Sequence, residues 1–348
     1  MKTFIIFTTG RTGSDYLNSC LDNVKDVMTF CGFFNYYEFF KHKNDLIPTE
    51  KLLVNFFIKY NNIFKINKIE NTKLNIDIKK IKRNFLKLYK KKFINRKDFL
   101  INIYKSYHLT LNRKLTKKTV LVHHTHDRVN TEEFLKDFPN SKIFITIRDP
   151  RANLRSGIYN WFRYNRRYKH MDHVYFYLSR IREDLNYILN KKNKKLFIKI
   201  EESNLKETKK NIFNFLNVKF DKNIFKPTLA SKKWISDKVS RGNLPSKKFS
   251  STGKVNSSID LNEWKKVFNS NELIFFSLLY YKYNKFGYNI KKITFIQRIM
   301  LFWRCLLPYS FEKITFFQKK ISIKKKVKNY FYYFKRVFYS ISIIMYLK

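Results

Sequence analysis

The chain has 348 residues, enough for one large α/β domain with additions or for two modest domains. Its 73 Lys and Arg against 26 Asp and Glu give a net charge of +47, which points to polyanions or anionic membrane surfaces as partners. The charge is spread along the chain rather than gathered in one arm, within a Lys, Asn, Ile, Phe and Tyr bias that AT-rich codons would also produce. No helix-turn-helix or RNA-binding signature accompanies it, which argues against nucleic acid. Cys20, Cys31 and Cys305 are odd in number and lack metal spacing, so a disulfide framework and a zinc module are both excluded, and the thiols read as reduced in a cytoplasmic protein.

Phe4-Ile5-Ile6-Phe7 is an apolar run too short for a helix or for a signal-peptide core, and reads as a buried strand over 2–7. Gly10, Arg11, Thr12, Gly13, Ser14 and Asp15 follow, and then Leu17, Cys20, Leu21 and Val24 recur at helical spacing over 14–24. Strand, glycine turn and helix form a phosphate cradle, because glycine lets backbone N–H groups crowd an anion and the helix N-terminus adds unpaired donors. It is not a Walker loop: two residues separate the glycines instead of four, and Ser14-Asp15 stands where a Lys-Ser/Thr pair is required. Glu38 then appears among aromatic residues, where it could pair with a nearby lysine.

Residues 41–118 form a Lys- and Asn-rich helical insertion, in which Ile78, Ile81, Phe85 and Leu88 share one helix face. It reads more readily as a solvated helical excursion than as a cap over an acceptor site. A strand over 119–123 runs into His123, His124 and His126; without cysteines or a His-Glu-X-X-His helix these argue weakly for metal, and no metal is expected. After a helix over 130–138, Lys142-Ile143-Phe144-Ile145-Thr146-Ile147 alternates and is β-branched, a strand over 142–147. Arg148 closes that strand, Asp149 and Pro150 supply an N-cap and a first helical proline, and Ser156 lies two turns into a helix over 150–165. Arg148 and the glycine turn thus both belong to carboxyl ends of strands, where open α/β sheets bind ligands. A helix over 172–190, a strand over 195–200 ending at Glu201-Glu202, a helix over 203–217, a loop over 226–258 and a helix over 261–285 complete the pattern. Strands alternating with helices imply a doubly wound parallel sheet.

The pair formed by the glycine turn and the Arg148–Ser156 segment resembles the sulfotransferases that use 3′-phosphoadenosine-5′-phosphosulfate (PAPS), in the wording of bacterial and Golgi-type carbohydrate enzymes. The resemblance covers roughly residues 2–40 and 119–290 and implies a P-loop-like α/β fold. It implies that Gly10, Arg11, Thr12, Gly13, Ser14 and Asp15 hold the 5′-phosphosulfate, with Arg11 where cytosolic members have lysine. It also implies that Arg148 and Ser156 hold the 3′-phosphate, and that Ser251, Thr252, Gly253 and Lys254 form a loop closing over it. In that last loop the stretch from Gly253 to Trp264 is longer than the family's usual form. Two candidates compete for the base that deprotonates the acceptor: His126, at the position of the cytosolic branch's histidine, and Glu38, at that of the carbohydrate-acting branch. PAPS would be the co-substrate, without metal, and the acceptor a hydroxyl of a glycan or a lipid-linked molecule.

A P-loop kinase is the competing enzyme, opposed by the missing Lys-Ser/Thr pair and by the absence of an acidic Walker B strand end. A basic membrane- or polyanion-binding protein without activity is the competing non-enzyme. On this reading residues 1–290 are the catalytic domain and 291–348 a basic, aromatic helical tail. No stretch of the tail reaches the ~18 apolar residues of a spanning helix. Either it lies on the inner face of an anionic membrane, making the enzyme peripheral, or it packs on the core or on another subunit.

Overall fold

A computed structural model describes residues 1–41, 46–67, 72–160, 170–234, 263–316 and 322–346. Ser251, Thr252, Gly253 and Lys254 lie outside the described residues, as do 161–165 of the helix expected over 150–165. The chain divides into two compact units, Met1–Ile147 with Lys191–Asn256, and Arg148–Asn190 with Ser257–Lys348.

The first unit is α/β. Its central sheet has five parallel strands, β1 (Thr3–Thr8), β2 (Val27–Met28), β3 (Val120–His124), β4 (Lys142–Ile147) and β5 (Lys195–Lys199), in the order β2-β3-β1-β4-β5. The register sets Ile5 opposite both His123 and Ile143. Phe4, Ile5, Ile6 and Phe7 are all buried, because helices cover both faces of a parallel sheet and leave its central strand no solvated side. The chain winds outward from β1 to β2, returns through β3, and then crosses to β4 and β5. This reversal beside β1 opens a crevice at the strands' carboxyl ends. Helices α1 (Ser14–Leu21) and α2 (Tyr36–Phe40) follow β1 and β2.

The insertion comprises α3 (Thr49–Lys65), α4 (Ile78–Leu88) and α5 (Arg96–Thr110). It is not a solvated excursion. Ile81 and Phe85 of α4 are buried as the periodicity requires, but Phe56, Phe64, Phe99, Tyr104 and Tyr107 are buried with them. Phe30, just past β2, lies 5.0 Å from Tyr104 and 5.5 Å from Phe64 between ring centroids. Tyr104 Oη also bonds His123 Nδ1 of β3 at 2.8 Å. Lysine-rich surfaces hid an aromatic stripe that extends the core. A helix α6 (Arg128–Asp137), capped by Asp127, links β3 to β4.

The second unit is helical: α7 (Pro150–Arg155), α8 (Met171–Leu189), α9 (Ser270–Tyr280), α10 (Phe295–Arg304), α11 (Ser310–Phe316) and α12 (Ile323–Tyr346). Tyr280 and Tyr283 donate to the carbonyls of Leu178 and Ile181 at 3.0 and 3.1 Å, and Asn329 of α12 accepts from the Met171 amide at 3.0 Å. The wholly buried Arg336 of α12 grips Glu312 of α11 through two bonds, at 2.6 and 2.7 Å, and bonds the Cys305 carbonyl. The tail is therefore helical and seats one face of α12 on this unit.

Candidate functional site

The glycine turn stands at the carboxyl end of β1. Gly10 and Gly13 both have positive φ, 88° and 82°, where a Cβ is costly. Gly13 is the N-cap of α1, and a Cβ there would also fall 2.1 Å from Ile200 Cδ1. Glycine is thus required twice over at this position. A chain of buried hydroxyls pins the turn. Thr8 Oγ1 donates to the Gly10 carbonyl at 2.9 Å and bonds Thr12 Oγ1 at 2.8 Å, and Thr12 Oγ1 bonds Thr146 Oγ1 of β4 at 2.7 Å. The Thr12 hydroxyl is therefore part of the scaffold, so an anion would meet Thr12 through its backbone. Tyr16 secures the helix behind the turn, donating to Asn204 Oδ1 at 2.6 Å and packing 5.5 Å from the Trp234 ring.

The three histidines at and just past the end of β3 divide into distinct environments. His123 is core: wholly buried, stacked 4.9 Å from Phe134, and bonded to Tyr104. His124 is buried and His126 half-exposed, their rings 4.5 Å apart. Thr125 anchors this segment beside β1, its amide donating to the Ile6 carbonyl at 2.9 Å. Asp15 Oδ1 lies 3.8 Å from His124 Nδ1 and 3.7 Å from His126 Nε2. The fold thus brings together the first turn of α1 and the end of β3.

The electrostatics follow from this packing. Burial opposes ionisation of Asp15, but contact with His126 and the charges of His126, His124 and Arg11 outweigh it and hold the carboxyl well below its usual value. Cationic and imidazole neighbours thus offset the negative charge that Asp15 brings beside the glycine turn. Burial pushes His124 down to about 3, with His126 adding to the effect and Asp15 opposing it, and burial likewise pushes His123 down to about 3.

Asp15, His124 and His126 also form a metal-competent group among the described residues, their ligand atoms within 4.8 Å of one another. Bonds of about 2.1 Å allow two ligands on one ion to lie at most about 4.2 Å apart, and both separations from Asp15 fall within that limit.

Glu38 sits elsewhere. It is in the first turn of α2, capped by Asn35, and its side chain is 61% exposed with Lys59 Nζ 3.6 Å away. This is the lysine pairing that its sequence context left open.

In the second unit, Asp149 caps α7, accepting from the Arg151 amide at 2.9 Å with Pro150 at the helix start. Arg151 closes on Asp149 at 2.7 Å, donates to the Asn289 carbonyl at 3.2 Å, and lies 4.1 Å from the Trp264 ring centre. Arg151 is therefore scaffold for the cap that follows Arg148. Arg148 is half-buried, and Ser156 is buried where α7 passes into a π turn, Ser156–Asn160. A Cβ at Gly157 would fall 2.3 Å from Tyr177 Cδ1, so that turn packs closely against α8. Such π turns are frequent at functional sites.

Sequence reasoning found the turn and the histidines but missed their supports. Thr146 carried a signal, being the one polar residue among buried neighbours in β4. Ile200 carried none, since only the fold brings it against Gly13.

No protein-family model matches the chain, and no curated protein matches it. Among solved structures, the chain is similar to the sulfotransferase domain from the curacin biosynthetic pathway, at 14% identity over 65% of this chain and 78% of that one, with a TM-score of 0.41. It is also similar to the sulfotransferase domain from the Synechococcus PCC 7002 olefin synthase, at 12% identity over 77% of this chain and 89% of that one, with a TM-score of 0.42.

Proposed function

We propose that the chain is a sulfotransferase that moves a sulfuryl group from PAPS to a hydroxyl of a carbohydrate or lipid-linked acceptor. The observation that carries this reading is the Asp15–His126 pair set beside a two-glycine turn at the carboxyl end of β1. The turn suits the donor's phosphosulfate: two positive-φ glycines and a helix N-terminus present amides to an anion. The donor supplies an activated sulfuryl group on a phosphate leaving group.

The protein's work is then positioning and charge. Arg11 and the amides of Thr12, Gly13 and Ser14 meet the negative charge gained by the departing bridging oxygen. As the acceptor oxygen bonds sulfur and the bridging S–O bond breaks, the acceptor's proton passes to His126. Histidine suits this step because its ordinary pKa, about 6.5, is close to neutral pH. Asp15 orients the ring and steadies its cation. His126 is preferred over Glu38 because Glu38 is exposed and faces Lys59. Arg148 and Ser156 would hold the 3′-phosphate by the family likeness, and Ser251, Thr252, Gly253 and Lys254 would close over it.

Calorimetry with adenosine 3′,5′-bisphosphate tests this reading. The bisphosphate should bind more tightly than AMP or ATP, and Arg148→Ala should weaken it by about 10- to 100-fold, as expected for a lost charge-assisted bond. Preference for ATP would favour a kinase, and absence of nucleotide binding would overturn the enzyme reading. Screening membrane lipids and surface glycans with labelled donor would identify the acceptor.

A further inference from the structure

Helix α10 is an amphipathic helix turned inside out. Phe295, Ile296, Ile299, Met300 and Trp303 recur at the spacing of one helix face, and that face points to solvent, with Phe295 74% and Trp303 66% exposed. Leu306 and Leu307 extend it, also exposed. The inward side is sparse: Leu301 and Cys305 are buried, and Arg304 packs 5.1 Å from the Tyr309 ring. Helix α12 carries a second outward stripe, Ile323, Val327, Phe331, Phe334 and Phe338, opposite the face that holds Arg336 and Val337 in the core. An exposed apolar patch of this extent on a folded chain marks an interaction surface.

The charge around the stripes selects the occupant. Residues 291–348 contain fourteen Lys and Arg and a single acidic residue, Glu312. Glu312 is wholly buried and paired with Arg336, so no carboxylate side chain of this segment faces out among the described residues. Lys291, Lys292, Lys324 and Lys326 are exposed at the starts of the two helices. Apolar and aromatic side chains that point outward, framed by lysines, one of which, Lys328, pairs with Asp172 of the neighbouring α8, complement a surface that is apolar inside and anionic at its rim. No described helix is long and apolar enough to cross a membrane, so α10 would lie in the interface plane.

We infer that α10, with Leu306–Leu307 and the outer stripe of α12, docks on an anionic lipid bilayer by inserting Phe295, Ile299 and Trp303 among the acyl chains. The inference stands independently of the proposed chemistry. Flotation of the full chain with vesicles of phosphatidylcholine, alone or with about 30% phosphatidylserine, tests it. The chain should float with the anionic vesicles only, and less so at high salt. The variant Phe295→Ser/Ile299→Ser/Trp303→Ser should bind about tenfold more weakly with unchanged thermal unfolding, since all three side chains are exposed. Tryptophan emission should shift to the blue on adding anionic vesicles, and Trp303→Phe should abolish that shift. Failure to float, or equal floating of parent and triple variant, would overturn the inference. So would self-association of the parent that the triple variant abolishes, because the stripe's occupant would then be a second copy. Bisphosphate calorimetry on the same triple variant should be unaltered, which separates failure here from failure of the nucleotide site.

Discussion

The Asp15 carboxylate lies 3.7 Å from His126 Nε2, tying the first turn of α1 to the segment that follows β3. A carboxylate beside a half-exposed imidazole can hold the ring in one orientation, as a general base requires. His126→Ala should therefore lower kcat by about 100- to 1,000-fold with donor affinity retained. Asp15→Asn should lower kcat in the same sense by less, and Glu38→Gln should leave it within about twofold. Steady-state kinetics with calorimetric donor binding checks all three. A large loss in Glu38→Gln alone would move the base to α2.

The same pair tests for a metal. Because the proposed step needs no metal, prolonged dialysis against a strong chelator should leave turnover unchanged although Asp15, His124 and His126 could hold an ion. Loss of activity restored by one divalent ion would show that the three hold a metal the reaction needs.

Gly13→Ala should destabilise the first unit. The left-handed backbone costs about 1–2 kcal/mol for a residue with a Cβ, and the contact with Ile200 adds about 1–3 kcal/mol. Adding Ile200→Ala should relieve the contact but not the backbone term. Thermal unfolding of the single and double variants would resolve the two parts.

Buried histidines should make the fold acid-labile. His123 and His124 are both pushed down to about 3 by burial, while an unfolded histidine titrates near 6.5. Their contribution is complete above pH 6.5 and is lost as pH falls from there towards 3, at about 1 kcal/mol per pH unit for each. Urea midpoints measured across that range should fall steadily, and His123→Phe should flatten the slope.

The Arg336–Glu312 pair should behave as an all-or-nothing unit. Burial raises the Glu312 carboxyl, with Arg336 opposing, so each charge depends on the other. Arg336→Met should cost about 3–5 kcal/mol by leaving Glu312 unpaired, and Arg336→Met/Glu312→Leu should recover most of that loss. Denaturant unfolding of the two variants decides it.

Much of the fold was legible along the chain because its signals are local. Apolar runs mark β1 and β4, Asp149-Pro150 marks the start of α7, and the alternation of strands with helices gives the parallel sheet. Composition misled for the insertion, where lysine and asparagine masked the aromatic spacing of Phe56, Phe64 and Phe99.

Sequence alone located the candidate anion turn, since the strand, the two glycines and the helix that make it are contiguous in the chain. Tertiary structure alone decided which histidine faces Asp15, that Thr12 bonds Thr146, that Ile200 seals Gly13, and that the apolar side of α10 points outward. Each of these depends on segments far apart in the chain, and periodicity fixes the face a residue shares without saying whether that face meets core or solvent.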